Sequence, residues 1–368
     1  MLKVFSPYTQ EQIGEYPLVP MAAIEGIVAT ANNLFEDRSK WLKPHERKSI
    51  LRRCAKIMES RIDELTKLAA NEGGKPFSDS KVEVLRAING VEIAAENIGE
   101  LKGGEIPMGL TPASEGRLAF TQREPIGVVA SISAFNHPLN LIVHQVITAV
   151  AAGCPVIVKP APTTPMSCEA LVGILKEAGL PEGWCQMVIC ENDVAERLIT
   201  DKRINYFSFI GSSKVGWYLR SKLSAGTRCA LEHGGAAPVI VEPDANFEEM
   251  IPSLLKGGFY HAGQVCVSVQ RVFAHESICQ KLAEEIASRA EKLKVGDPMD
   301  ASTEVGPLIL PREVDRVEEW VNEAVEAGAE VLCGGKRISA TCFEPTVLFN
   351  PPATVRVSTS EIFGPVVC

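Results

Sequence analysis

The sequence predicts an α/β protein built on a parallel sheet that helices cover on both faces. Between residues 127 and 232, short apolar runs such as PVIVK (155–159) alternate with amphipathic helical stretches such as 167–178. The runs are too short for helices and are rich in Val and Ile. They also lack the polar alternation of a strand with one solvated face, so both faces are expected to be buried.

The first hundred residues are predicted to be mainly helical. Apolar residues recur there at spacings of three and four, and Pro or Gly separates the stretches. The helices are expected at residues 21–35, 46–71 and 78–101. The next stretch, 103–125, contains Gly, Pro and short extended pieces, and it is predicted to leave the main body as a hairpin.

From residue 127 the chain alternates between strands and helices. The predicted strands are 127–133, 155–159, 185–190, 205–210 and 227–232. The predicted helices are 139–152, 167–178, 194–200 and 213–223. Beyond residue 234 the pattern is less regular, with helices expected near 279–294 and 311–327. Parallel sheets bind ligands at the carboxyl ends of their strands, so the residues that follow the strands are candidates for a site.

Composition and charge exclude several kinds of protein. The 368 residues, 46% apolar and 23% charged, are typical of a globular protein with more than one domain. The net charge of −9 argues against nucleic-acid binding. No apolar run approaches the roughly 20 residues of a membrane span, and the start lacks a signal-peptide core. The eleven cysteines show neither CxxC pairs nor metal-ligand spacing with the six histidines. No metal site and a cytoplasmic location with reduced thiols are therefore expected.

Cys266 differs from the other cysteines in its surroundings. It follows Gly263-Gln-Val, and strand-like residues come directly after it. The glycine opens room around the sulfur. A buried cysteine is ordinarily a small hydrophobic residue, so Cys266 becomes a candidate nucleophile only if partners exist elsewhere in the chain.

Four predicted strand ends carry polar residues that could be these partners. Asn136 precedes a helix, where its amide could donate to an oxyanion. Lys159 ends an apolar strand and could bind a ribose or a phosphate. The turn at 211–216 opens a helix, whose first N–H groups attract phosphate. Glu232 precedes a glycine pair and is a candidate general base. Each feature alone is also typical of an ordinary turn or surface residue. Only the order in which the features occur along the chain is specific.

These segments together resemble the aldehyde dehydrogenase family along essentially the whole chain. The matching segments are FNHPLN, GCPVIVKPA, FIGSSKVG, LEHGG, GQVC and EIFGPVV. The resemblance implies a Rossmann-like cofactor domain, an α/β catalytic domain and a protruding β-hairpin that joins subunits. The implied boundaries are 1–103 and 123–233 for the dinucleotide-binding domain, 104–122 for the oligomerisation hairpin and 234–368 for the catalytic domain.

The resemblance also assigns a reaction and its residues. An aldehyde would be oxidised to a carboxylic acid with NAD or NADP, through a thiohemiacetal and a thioester on Cys266. Asn136 would stabilise the oxyanion, and Glu232 would activate water. The implied cofactor contacts are Lys159, Pro162, Gly211, Ser212, Gly216, Glu361 and Phe363.

Several positions depart from the family's usual pattern. His233 stands where a small apolar residue, often Leu, follows the general base. Ala236 stands where Lys or Asn often follows the glycine pair. Pro162 occupies the place of an acidic residue found in many NAD-preferring relatives, so measurable use of NADP is expected. The family continues beyond EIFGPVV, and a chain that stops at Cys368 is therefore expected to be a fragment.

Two other functions stay open at this point. The same fold can release the thioester to coenzyme A, although a glutamate at position 232 favours hydrolysis. A fragment could also bind dinucleotide without turnover. The expected partners are a small aldehyde and identical subunits in a homodimer or homotetramer, with neither nucleic acid nor a membrane.

Overall fold

The computed structural model describes residues 1–368, and its N-terminal part contains one strand pair and four long helices. Their bounds are β1 Leu2–Phe5, β2 Gln12–Tyr16, α1 Ile24–Glu36, α2 Pro44–Ser60, α3 Ile62–Gly73 and α4 Phe77–Asn97. The sequence did not predict the antiparallel pair β1–β2, and it predicted α2 and α3 as one helix. The backbone leaves helical geometry at Arg61 (φ −120°, ψ 22°). The apolar pattern continues on both sides of Arg61, so periodicity does not reveal the break.

A short hairpin follows the helices, as predicted. Strands β3 (Glu105–Ile106) and β4 (Ala119–Phe120) pair antiparallel over two residues each. Gly103 at the base of this hairpin tolerates no side chain, because a Cβ would lie 1.5 Å from the carbonyl oxygen of Thr121. The role of residues 104–122 in joining subunits stays a prediction.

The centre of the fold is a five-stranded parallel sheet, which confirms the predicted fold class. Its elements are β5 Val128–Ile132, α5 Asn140–Ile142, α6 Thr148–Ala152, β6 Val156–Lys159, α7 Met166–Glu177, β7 Cys185–Met187, α8 Asn192–Ile199, β8 Ile204–Ile210, α9 Ser213–Arg220 and β9 Arg228–Glu232. The strand order is β7-β6-β5-β8-β9. Helices α5 and α6 are joined by one π-helical segment, Val143–Ile147, so the predicted helix 139–152 is continuous but irregular.

Both faces of the sheet are buried because its strands are apolar at successive positions. Val128 and Ala130 belong to a cluster with α1 and α8, whereas Val129 belongs to a cluster with α2, α4 and α7. Successive side chains of a strand point to opposite faces, so this division matches the pleat. The carboxyl edge of the sheet is left free for a ligand.

The C-terminal part forms a second apolar core. Its elements are β10 Ala237–Val241, α10 Phe247–Phe259, β11 Val269–Ala274, α11 Cys279–Ala290, α12 Pro311–Glu326, β12 Glu330–Cys333, β13 Thr346–Phe349, α13 Arg356–Thr359 and β14 Val366–Val367. Strands β10 and β11 are parallel, and β12-β13-β14 form a mixed sheet. The buried cluster of this part spans residues 241–367, whereas the two clusters around the large sheet lie within 24–219. The domain division at 233/234 stays a prediction that this separation supports.

Candidate active site

A cavity of about 1040 Å³ lies at the carboxyl edge of the large sheet. Nine of the ten residues selected from the sequence line it: Asn136, Lys159, Pro162, Gly211, Ser212, Glu232, Cys266, Glu361 and Phe363. The tenth, Gly216, is buried beside the cavity. A volume of this order suits a ligand of dinucleotide size.

The strand register explains why distant segments meet at this edge. Ile132 at the end of β5 pairs with Lys159 at the end of β6. Ile210 at the end of β8 pairs with Glu232 at the end of β9. The N–H of Gly211 also donates to the carbonyl of Glu232 at 3.1 Å, which holds the turn before α9 against the end of β9. Four strand ends therefore present their polar residues to one cavity.

A buried ion pair fixes the segment that contains Asn136. Glu83 on α4 accepts hydrogen bonds from the N–H groups of Leu139 (2.9 Å) and Asn140 (3.0 Å), at the start of α5. Lys75 pairs with the other carboxylate oxygen of Glu83, and both side chains are almost completely buried. Asn136 itself is 5% exposed and borders the cavity, so its amide has little freedom to move.

Cys266 is the only exposed cysteine among the eleven, all of which are free thiols. The backbone before it is unusual, because His261, Ala262 and Gly263 all have positive φ, at 50°, 53° and 71°. Non-glycine residues seldom adopt this left-handed geometry, and where they do the surroundings must hold them in place.

Gln264 supplies part of that support. Its side-chain amide donates to the carbonyl of Pro307 at 3.2 Å and accepts from the N–H of Ile309 at 2.9 Å. The side chain is 1% exposed, so water does not compete for these bonds. The strained turn before Cys266 is thereby fixed to a second loop.

The segment with Glu361 and Phe363 is held next to the Cys266 turn. Gln270 on β11 donates to the carbonyl of Ser360 at 2.7 Å and accepts from the N–H of Ile362 at 2.9 Å. A Cβ on Gly263 would lie 2.0 Å from the carbonyl oxygen of Gly364, so only glycine allows this contact. Residues predicted from two separate motifs, Cys266 on the one hand and Glu361 and Phe363 on the other, therefore border one cavity.

Without a bound ligand, the surroundings of Cys266 favour the neutral form of its thiol. Partial burial raises the pKa of the thiol, and the negative charges of Glu361 and Glu232 raise it further. The backbone N–H groups of Cys266 and Val267 act in the opposite direction. A positive charge brought close to the sulfur would lower this pKa.

Glu361 lies over the glycine pair that follows the general-base candidate. Its carboxylate accepts from the N–H of Gly235 at 3.2 Å, and a Cβ on Gly234 would come within 2.0 Å of it. Burial raises the pKa of Glu361, while the Gly235 N–H and Arg316 lower it. Glu232 is exposed to the cavity, where water can reach it.

The residues predicted to bind the cofactor fit a dinucleotide. Lys159 is 7% exposed, and burial lowers the pKa of its amine, an effect that the nearby Cys190 and Glu191 oppose. The hydroxyl of Ser133, also on the cavity wall, is buried without a hydrogen-bond partner. Ser212 is exposed at the start of α9. An ammonium group, an unpaired hydroxyl and a helix start are suitable donors for ribose and phosphate oxygens.

Sequence reasoning missed several residues of the wall. His144 borders the cavity from the π-helical segment, and α12 contributes Arg316 and Trp320. A π-helical turn is common at functional sites, but the sequence carries no signal for it. His137 was visible within FNHPLN; burial, and then the charge of Lys75, lower its pKa to about 2, so it is a neutral residue.

No three His, Cys, Asp or Glu side chains cluster in a way that could hold a metal ion. No helix combines the length and the apolar character that crossing a bilayer requires.

Comparison with known proteins finds a family match over the whole chain. The sequence model of the aldehyde dehydrogenase family matches residues 1–368. The chain is 39% identical over 368 residues to the 3-sulfolactaldehyde dehydrogenase of Priestia aryabhattai, covering 100% of this chain and 76% of that protein.

Solved structures show the same fold. Aldehyde dehydrogenase 21 from Physcomitrella patens, in complex with the reaction product succinate, superposes with a TM-score of 0.95 at 32% identity. The match covers 100% of this chain and 76% of that one. A glyceraldehyde-3-phosphate dehydrogenase from Methanocaldococcus jannaschii, complexed with NADP, gives 0.94 at 35% identity, covering 100% of this chain and 79% of that one.

Proposed function

The chain belongs to the aldehyde dehydrogenase family, and we propose that Cys266, Asn136 and Glu232 carry out the chemical steps of its reaction. The family match confirms the predicted activity: the enzyme oxidises an aldehyde to a carboxylic acid with NAD(P). The observation that carries the proposal is the position of the single exposed cysteine in the same cavity as a nearly buried amide and an exposed carboxylate.

The first step is attack on the aldehyde carbon. The Cys266 sulfur, as the thiolate, forms a C–S bond while the carbonyl π electrons move to oxygen. The side-chain N–H of Asn136 donates a hydrogen bond to the developing oxyanion, which gives a stabilised thiohemiacetal. When bound, NAD(P) supplies the acceptor for the hydride of that carbon, so that Cys266 is left as a thioester.

The second step is hydrolysis of this thioester. Glu232 removes a proton from water, and the water oxygen attacks the acyl carbon. The C–S bond breaks, and the sulfur leaves as the thiolate that began the cycle. In total, one aldehyde, one water and one NAD(P)⁺ give a carboxylate, NAD(P)H and two protons.

The remaining wall residues would hold the cofactor. Lys159 and Ser212 would bind its ribose and phosphate oxygens, and Gly211 would let the backbone approach closely. Glu361 would accept hydrogen bonds from the hydroxyls of one ribose, and Phe363 would border the ring. Pro162 carries no charge that would repel a 2′-phosphate, which supports use of NADP as well as NAD.

The proposed substrate is a small aldehyde that carries a hydroxyl or an anionic group. The names of the relatives support this, since one is a 3-sulfolactaldehyde dehydrogenase and one is complexed with succinate. The exposed His144 adds a polar group to the cavity that Cys266 borders.

The proposal is tested with the Cys266→Ser variant on a panel of short aldehydes with and without such groups. Activity should fall to background for every aldehyde, because a hydroxyl is a far poorer nucleophile than a thiol near neutral pH. Binding of NAD(P), measured by calorimetry, should stay close to that of the unmodified chain. Retention of half the activity would contradict the assignment of the nucleophile.

A further inference from the structure

His233 is the residue after the proposed general base, and the chemical steps leave it without a role. Glu232 is the last residue of β9, and His233 is the first residue beyond that strand, at the sheet edge where the cavity lies. Both border the cavity. His233 lies against Gly216 and Trp217 of α9, the helix that follows the predicted cofactor contacts Gly211 and Ser212.

The imidazole ring is packed on one edge and open on the other. Its Nε2 atom is buried and has no hydrogen-bond partner. The rings of Trp217 and Phe209 stand at 68° and 73° to it, with centroids 5.4 and 6.1 Å away. The second nitrogen, Nδ1, is not enclosed in this way, and the half-buried ring reaches the cavity.

Gly216 makes this position of the ring possible. A Cβ at Gly216 would lie 2.1 Å from Nε2 of His233, so any other residue would displace the imidazole. Gly216 lies against His233 in the structure, and its predicted contact with the cofactor stays a prediction.

The two nitrogens of the imidazole differ in their access to a ligand. Nε2 is enclosed against Gly216 and beside the two aromatic rings, so a ligand cannot reach it. Nδ1 is therefore the nitrogen that can bind a ligand in the cavity, and an imidazole with its proton on Nε2 offers the lone pair of Nδ1 for this purpose.

We propose that His233 positions the dinucleotide by accepting, at Nδ1, a hydrogen bond from a ribose hydroxyl or from the carboxamide N–H of the bound cofactor. This inference rests on the proposed function, because the cavity must bind NAD(P). It makes His233 a positioning residue that holds the cofactor beside Glu232 and Cys266.

Three substitutions separate hydrogen bonding from packing. In Asn, both polar atoms are as many bonds from Cβ as Nδ1 is in histidine, whereas the polar atoms of Gln are one bond further away, as Nε2 is. The His233→Leu variant has no polar atom at the position of either nitrogen. The dissociation constant of NAD(P), measured by calorimetry without aldehyde, should rise about three- to tenfold in the Leu and Gln variants. In His233→Asn it should stay within about twofold of the unmodified chain.

ADP-ribose, which lacks the nicotinamide, identifies the donor. If a ribose hydroxyl donates the hydrogen bond, His233→Leu should also weaken the binding of ADP-ribose. If the carboxamide donates it, the affinity for ADP-ribose should not change. An unchanged dissociation constant in His233→Leu, or an equal loss in the Asn and Leu variants, would overturn the inference while leaving the proposed function intact. Failure of the unmodified chain to bind NAD(P) would overturn both.

Discussion

At the scale of single residues, the surroundings of Cys266, the proposed nucleophile, disfavour its thiolate. Partial burial raises the pKa of the thiol most, and the charges of Glu361 and Glu232 raise it further. A thiolate, not a thiol, is the reactive form, and its fraction rises as the pKa of the thiol falls. Binding of a cationic nicotinamide ring would oppose these carboxylates.

The Glu361→Gln variant tests this electrostatic account. Removing the negative charge should lower the pKa of Cys266, so the rate of iodoacetamide labelling should begin to rise at a lower pH than in the unmodified chain. The pH profile of labelling, recorded without cofactor, is the measurement. Glu64→Gln, an exposed change on α3, is the matched control and should leave the profile unchanged. A shift to higher pH in Glu361→Gln would contradict the account.

Most candidate residues could be predicted from the sequence because polar residues at the ends of apolar strands converge at one edge. Nine of the ten border the cavity. Gly216 differs because it packs against His233, which follows strand β9, and no local sequence pattern shows that the glycine makes room for the imidazole. His144 was missed because its position depends on a π-helical turn.

At the scale of elements, α4 determines where the proposed oxyanion donor lies. Its Glu83 accepts from the N–H groups of Leu139 and Asn140 at the start of α5, close to Asn136 in the chain, and Lys75 neutralises that almost completely buried carboxylate. The sequence shows α4 as an amphipathic helix but cannot show which helix start its buried carboxylate reaches. The break between α2 and α3 and the pair β1–β2 were not predicted either, because the local sequence pattern does not show them.

Substitution of Lys75 by Met should destabilise the protein strongly. The variant leaves the Glu83 carboxylate buried without its counter-charge, which typically costs about 3–5 kcal/mol in free energy of unfolding. The double variant Lys75→Met/Glu83→Gln removes both charges and keeps an acceptor for the two N–H groups, so it should recover part of that loss. Urea unfolding of the three proteins provides the comparison. A double variant that is less stable than Lys75→Met would contradict this explanation.

At the scale of the whole molecule, the candidate active site lies where the two parts of the chain meet. The sheet of the first part supplies Asn136, Lys159 and Glu232, and the second part supplies Cys266 and Glu361. The parallel sheet and its ligand-binding edge were predictable, because continuous apolar strands alternate with helices. The irregular second part was less predictable, since its strands are short and occur in two separate sheets.

The hairpin at residues 104–122 is the predicted surface for subunit assembly. Ile106, Leu110, Leu118 and Phe120 are between 45% and 82% exposed on it, which is unusual for a surface that stays in water. The double variant Leu110→Lys/Leu118→Lys should lower the molar mass measured by light scattering relative to the unmodified chain at the same concentration. Ile338→Lys, at a residue 52% exposed elsewhere, is the control and should not change it. Equal masses for the hairpin variant and the unmodified chain would contradict an assembly role.

The most direct test of the two-step account is the pre-steady-state burst of NAD(P)H in the Glu232→Gln variant. The variant keeps Cys266 and Asn136, so the first turnover should still release about one NAD(P)H per site, while steady turnover falls by roughly a hundredfold because water is no longer deprotonated. If coenzyme A were the true acceptor, adding it would restore turnover in the variant. Loss of the burst together with turnover would contradict the account, because it would place Glu232 in the first step.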